Sequence, residues 1–182
     1  MNIAGIPTGS DVPREINVIV EIPLRADPVK YEIDKATGAM WVDRFINTAM
    51  YYPTNYGYVP HTLSEDGDPA DVLVVAPLPL ITGSVVSCRP VALLVMTDEK
   101  GPDSKILAVP ADRVCTLYRK VQGAEDLPPL LLQQIQHFFE HYKDLEHGKW
   151  VRVEGWRGRA EAEREILDAV ERFKQAPVKP AF

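Results

Sequence analysis

Cysteine is nearly missing from this chain: 182 residues contain only Cys88 and Cys115. Two thiols make no disulfide framework, and neither has the spacing of a metal ligand. Both sit among apolar neighbours and read as buried free thiols. A net positive charge is missing too. Twenty lysines and arginines face 26 aspartates and glutamates, for a formal charge of −6 and a pI near 5.2. Nucleic acids and anionic membranes are bound largely through a basic face, so neither is expected as a partner. No hydrophobic run is long enough to cross a bilayer. The longest, residues 72–81, is short and is broken by Pro77 and Pro79. The first residues lack a basic segment followed by an apolar one, so no signal peptide is read and a reducing cytoplasm is the expected compartment. Internal repeats, low-complexity segments and any composition break that would mark a domain boundary are also lacking. The expectation is one domain over residues 1–182, with 177–182 a loose tail.

What remains is the composition of an ordinary globular protein, 46% hydrophobic and 25% charged. Residues 16–22 are rich in β-branched side chains and stop at Pro23, which predicts a strand with Asn17, Ile19 and Glu21 on one face. Residues 30–33 and 39–45 flank the turn Lys35-Ala36-Thr37-Gly38 and read as a hairpin, with Lys30 and Glu32 on one face and Arg44 near the end of the return strand. Residues 72–76, 84–95 and 106–109 also read as strands. Many short strands without long alternating helices predict an α+β fold built on a closed or partly closed β-barrel. Two helices follow. One begins at Pro128 and Pro129 and carries Leu131, Ile135, Phe138, Tyr142 and Leu145 at 3–4 spacing, with Gly148 just beyond it. The other covers 159–176, with Ala162, Ile166, Ala169, Val170 and Phe173 on one side.

The densest charge lies in Glu65-Asp66-Gly67-Asp68-Pro69-Ala70-Asp71, where four carboxylates fall within seven residues beside an apolar run. Asp-Gly marks a tight turn, and Pro69 pushes Asp68 towards extended geometry, in which Asp66 and Asp68 point the same way. Carboxylates this close repel one another unless a cation or a raised pKa relieves them. A second acidic turn runs from Asp98 and Glu99 through Gly101-Pro102 to Asp103, with Asp103 and Lys105 sharing a face beyond it. Tyr51-Tyr52-Pro53-Thr54-Asn55-Tyr56-Gly57-Tyr58 places four tyrosines within eight residues. On a loop, their hydroxyls could hold phosphate oxygens without adding charge.

Two other patterns weigh less. His137-Phe138-Phe139-Glu140-His141 has the spacing of an inverted zinc-protease helix, but no third ligand is identifiable, and a pair of surface or subunit-contact histidines is preferred. An EF-hand counted from Asp66 fails because Asp71 and Pro77 stand where a glycine and a bidentate glutamate are required. The polar residues that strand and turn geometry could aim at one site are acids, Glu21, Glu32, Asp66, Asp68, Asp71, Asp98 and Asp103, and bases, Lys30, Arg44, Lys105 and Lys143. Carboxylates without His or Cys favour hard divalent ions, and Lys and Arg beside them suit an anionic, oxygen-rich substrate. Together they suggest metal-assisted phosphoryl transfer to water.

The stretch at 65–73 resembles the D-G-D-P-x-D-hydrophobic signature of the soluble family I inorganic pyrophosphatases. Lys30-Tyr31-Glu32, Asp43-Arg44, Tyr52-Pro53 with Asn55-Tyr56-Gly57-Tyr58, Asp98-Glu99, Asp103-Ser104-Lys105 and His141-Tyr142-Lys143-Asp144 resemble further blocks of the family, in its order. The resemblance covers roughly residues 13–156. It implies an OB-like five-stranded barrel with two main helices packed on it, hydrolysis of pyrophosphate to two phosphates with several Mg²⁺ ions, and, for bacterial members, a homohexamer with His137 and His141 at a subunit contact. Carried over residue by residue, it makes Asp66, Asp71 and Asp103 ligands of the tightest metals, with Asp71 bridging. Glu21, Glu32 and Asp98 help to hold metals that arrive with substrate, and Asp68 is the general base on a metal-activated water. Lys30, Arg44, Tyr56, Lys105, Tyr142 and Lys143 hold the phosphates, with Tyr52 behind them. Two other readings stay open at this point: a Mg²⁺-dependent hydrolase of nucleoside di- or triphosphates, and a non-catalytic divalent-cation-binding barrel module.

Overall fold

The computed structural model describes residues 3–34 and 37–177. In chain order its strands are β1 (Ile16–Ile22), β2 (Val29–Ile33), β3 (Met40–Phe45), β4 (Asn55–Tyr58), β5 (Asp71–Val74), β6 (Val85–Asp98), β7 (Gly101–Pro102), β8 (Lys105–Pro110) and β9 (Val151–Arg157). Helix α1 (Pro129–His141) precedes β9, and α2 (Arg159–Gln175) follows it. Strands β1, β4, β5, β8 and β6 pair in that order, and β6 pairs back on β1, so five strands close into a barrel. The expected architecture is therefore present. Every contact in the ring is antiparallel except β5 with β8, which run parallel. Strand β6, 14 residues long, is the spine, pairing with β1, β7, β8 and β9. It contains Pro90, which lacks a backbone donor, and the register shifts between Pro90 and Ala92, where the strand bends. Hairpin β2–β3 forms a separate two-stranded sheet.

The strands of the ring are covered on both sides, which explains their continuous apolar runs. All six residues of β8 are buried. Leu73, Leu94 and Leu107 pack with Ile135, Phe138 and Phe139 of α1. Val72, Val74, Ile106 and Ala108 pack with Ala162, Ile166 and Ala169 of α2. The helical spacing seen in the sequence is thus the spacing of core contacts, but α1 ends earlier than expected. Its last turn closes with the Tyr142 amide donating to the Phe138 carbonyl at 2.8 Å, and Leu145 lies beyond it, 76% exposed. Cys88 is buried as expected, whereas Cys115 is only partly so. The tail expected at 177–182 falls, beyond residue 177, outside the described residues.

Two strands run against or beyond the sequence reading. The tyrosine stretch is not a loop: Asn55, Tyr56, Gly57 and Tyr58 form β4, fully buried between β1 and β5. Its entry is pinned by Asn55, whose Oδ1 accepts from the amides of Leu24 at 2.9 Å and Leu80 at 2.7 Å. Such buried side-chain bonds are long-range in sequence and carry no local signal. Strand β9 was not expected either, although Val151 and Val153 alternate with Arg152 and Glu154.

At Gly57, β1 and β4 approach closely. A Cβ there would stand 2.1 Å from the Ile19 carbonyl oxygen. That atom is backbone and cannot swing away, so Gly57→Ala should lower stability by about 2 kcal/mol or more, read as a reduced urea midpoint with an unchanged slope.

Candidate active site

The acidic turn is shaped by Gly67, whose φ of 90° suits a residue without Cβ. Asp66 Oδ1 accepts from the Asp68 amide at 3.0 Å, and the Ser64 amide donates to the Asp68 carbonyl at 2.7 Å. Residues 66–68 are thus a hydrogen-bonded turn and not the extended segment expected from Pro69. Asp66 and Asp68 reach the same cleft because the turn curls, not because strand alternation aligns them. Thr62 ties the loop together from inside: its hydroxyl donates to the Val59 carbonyl at 2.6 Å and accepts from the Ala70 amide at 2.9 Å. Asp71 then opens β5.

Three lysines stand among the acids. Lys105, the first residue of β8, reaches both Asp71 and Asp103. Because β5 and β8 are parallel and in register, Asp71 and Lys105 begin their strands at the same end of the barrel. Lys143, just after α1, binds Asp98 at 2.6 Å and Glu99 at 3.3 Å. Lys30 pairs with Glu32 and lies 3.7 Å from Asp43 across the hairpin. Below them lies an aromatic floor. Tyr142 stacks on Phe138 with centroids 5.3 Å apart, and Tyr52 lies 5.9 Å from Tyr56. The ring of Tyr142 is therefore part of the core, while its position also lines the cleft.

These groups face one cleft of about 120 Å³. Of the thirteen candidates named from the sequence, all but Glu21 and Glu32 line it. A recess of about 40 Å³ shares Lys30, Tyr56, Asp68 and Asp71 with it and adds Glu21 and Glu32. Glu21 is held there by the Ile33 amide, which donates to its Oε1 at 2.9 Å. The cleft also includes Glu99, Lys100, Phe139 and Lys149, to which the sequence reading gave no role. Glu99 follows Asp98 directly, and Lys149 comes six residues after Lys143 in the segment that follows α1, so both had a weak local signal. A larger groove of about 550 Å³ is lined by side chains such as Met50, Val75, Leu131 and Phe138 and contains none of the thirteen. Volume alone would point there; the converging charges mark the smaller cleft as the candidate site. The rings of His137 and His141 lie 4.5 Å apart, tilted by 56°, outside that cleft, and His141 Nδ1 lies 2.8 Å from Asp144.

Burial and neighbouring charge act in opposite directions here. Burial, with Asp71 nearby, raises Asp103 to about 6 despite Lys105. Burial also raises Asp66. Burial alone would pull Lys105 down, but Asp71 and Asp103 more than offset it and hold the ammonium charged. Lys30 is likewise raised against burial by Glu32 and Asp43. Tyr56 and Tyr142 are raised chiefly by burial, so both phenols stay protonated and can donate hydrogen bonds. Asp98 is lowered: against its burial, hydrogen bonds from Lys143 and the Lys100 amide favour the carboxylate. The arrangement can hold an anion between charged lysines and neutral phenols, beside carboxylates that repel one another.

Comparison with known proteins agrees with this chemistry. The family model described as Pyrophosphatase, inorganic pyrophosphatase, matches residues 18–174. The inorganic pyrophosphatase of Yersinia pestis is 57% identical over 175 residues, which is 96% of this chain and 100% of that protein. The Escherichia coli K12 inorganic pyrophosphatase is 57% identical over 174 residues, 96% of this chain and 99% of that protein. The crystal structure of the inorganic pyrophosphatase from Thermus thermophilus superposes with a TM-score of 0.89 at 43% identity, covering 96% of this chain and 99% of that one.

The raised Asp103 has a consequence for stability. Between the usual aspartate range and about pH 6 the folded protein keeps a proton that the unfolded chain has lost, so this group destabilises the fold as pH rises through that window. In the presence of a chelator, Asp103→Asn should therefore gain stability over the parent protein between about pH 4 and about pH 7, read from urea midpoints.

Proposed function

The chain belongs to the inorganic pyrophosphatase family and hydrolyses pyrophosphate to two phosphates, and we propose that Asp68 is the general base of that reaction. The observation that carries this reading is the convergence, on one cleft, of an exposed carboxylate at a turn tip with lysines, an arginine and tyrosines from distant parts of the chain. Asp68 would take the proton of the attacking water, while Lys30, Arg44, Lys105 and Lys143 neutralise phosphate charge and Tyr56 and Tyr142 donate to phosphate oxygens.

The donor set fits Mg²⁺. The cleft offers carboxylates and no cysteine or histidine, and two of them, Asp66 and Asp103, are raised by burial, a penalty that a divalent cation would offset. Among the described residues no three acidic, histidine or cysteine side chains form a ready-made cage. Mg²⁺ takes one or two carboxylates per ion and completes its shell with water and substrate phosphate. Asp66, Asp71 and Asp103 would hold the tightest ions, with Asp71 shared, and Glu21, Glu32 and Asp98 those that come with substrate. When bound, Mg²⁺ neutralises phosphate charge and makes water more acidic. Tyr52 would support Tyr56 from behind.

We further propose a cytoplasmic homohexamer. No described helix is long and apolar enough to cross a membrane. The exposed face around His137 and His141, with Leu130 63% exposed, supports a subunit contact there, and sedimentation should give six chains per particle.

Asp68→Asn should lose about 10²–10⁴-fold in kcat with Mg²⁺ and pyrophosphate, and a fully active variant would remove Asp68 from the role of base. Under the same Mg²⁺, phosphate release from ATP should be far slower than from pyrophosphate; equal rates would favour a nucleotide hydrolase.

A further inference from the structure

Glu146 lies in the segment that follows α1 and does not belong to the set of residues assigned above. Its amide donates to the Lys143 carbonyl at 2.9 Å, and its own carbonyl accepts from the Lys149 amide at 3.3 Å, so one tight segment carries Lys143, Glu146 and Lys149. The Glu146 side chain is only 8% exposed. One carboxylate oxygen, Oε2, binds Lys149. The other, Oε1, faces Arg44 Nε at 3.7 Å. Both Oε1 and Nε are buried without a hydrogen-bond partner among the described residues, an arrangement that costs free energy unless it serves something. Arg44 and Lys149 both line the substrate cleft, and Glu146 does not.

Orientation gives this arrangement a meaning. An arginine held by an acid on its Nε side keeps the Nη edge for a second anion, and that edge is the one suited to a phosphate. Arg44 Nη1 rests at 3.1 Å on Asp43, a partially exposed acid that an incoming phosphate can replace. Glu146 thus contacts both cations without itself lining the cleft.

We propose that Glu146 is a positioning residue for pyrophosphate: its buried carboxylate holds Arg44 and Lys149 together at the cleft, orienting the arginine fork for a phosphate group. The inference rests on the reading that Arg44 binds phosphate. It makes the segment after α1 part of the substrate site, and it gives Lys149 a place beside Arg44. Without Glu146 the two like charges repel, and both long side chains must be ordered anew when the anion binds.

The test uses Glu146→Gln, which keeps shape and removes charge. KM for pyrophosphate with Mg²⁺ should rise about fivefold with kcat within about twofold, because binding and not proton transfer is affected. Calorimetric affinity for inorganic phosphate, which involves no turnover, should fall by a similar factor. In an Arg44→Gln background the same substitution should add little. Unchanged KM and phosphate affinity, or an equal added effect in that background, overturns the proposal. If Arg44→Gln itself leaves KM unchanged, the phosphate role of Arg44 fails first, and the two failures are told apart. Should Glu146→Gln not fold, Lys149→Gln decides: its side chain is 31% exposed, and an unchanged KM and phosphate affinity in that variant overturns the proposal.

Discussion

Lys105 between Asp71 and Asp103 is the interaction on which the site depends. The Lys105 side chain is 4% exposed, deep enough that an unpaired charge would be strongly penalised there. Its two partners come from different turns, one at the start of β5 and the other just before β8. Parallel pairing of β5 with β8 brings Asp71 and Lys105 to the same end of the barrel, and the short β6–β7 turn delivers Asp103 beside them. One buried cation therefore locks together two acidic turns that are far apart in sequence. Removing either carboxylate would leave the other to balance the lysine, and removing the lysine would set two buried acids against each other.

Around that lock the site is built from pieces that cannot reach one another locally. The hairpin β2–β3 brings Lys30, Glu32 and Arg44 as one unit, standing on its own sheet. Helix α1 ends where Tyr142 and Lys143 must lie, and Tyr142 stacks on Phe138 so that its ring belongs to the core. Strand β4 carries Tyr56 between β1 and β5, and the closeness of those strands is what restricts position 57 to glycine. Tyr56 and Tyr142 are thus fixed by the apolar core that their rings join. That coupling is why the cleft is small and lined by groups with little freedom: the same packing that stabilises the barrel orders the donors before any anion arrives.

The charges explain both the tension and its use. Acids and bases are equal in number in the cleft, six of each, burial raises Asp66 and Asp103, and Lys105 is kept charged by Asp71 and Asp103. A site held in this state favours a visitor that brings both signs, as a phosphate accompanied by divalent cations does. A neutral ligand would relieve nothing. The neutral phenols of Tyr56 and Tyr142 add donors without adding charge.

Much of this was legible in the chain. Strand positions 16–22, the hairpin, the buried runs of β5 and β8 and both helical stripes follow from period and breaker residues, because those patterns record which face each element buries. The acidic turn was visible by composition, and spaced blocks from Lys30 to Lys143 identified its companions. Several features were not legible. The tyrosine stretch reads as a loop because Pro53 and Gly57 interrupt it, yet pairing on both edges makes it a strand. Leu145 continues the stripe of α1, but the helix has already closed and leaves it in solvent. The curl of residues 66–68, the clasp of Thr62, the lysine between two acids and the carboxylate of Glu146 beside Arg44 have no local pattern at all. By itself the sequence determined which face most of the strands and helices bury, where the acidic turns fall and which chemistry the side chains could perform. Only the tertiary structure decided which of those side chains meet. Burial leaves a periodic record along the chain, whereas a contact between distant charges depends on barrel closure and strand direction, which no single segment contains.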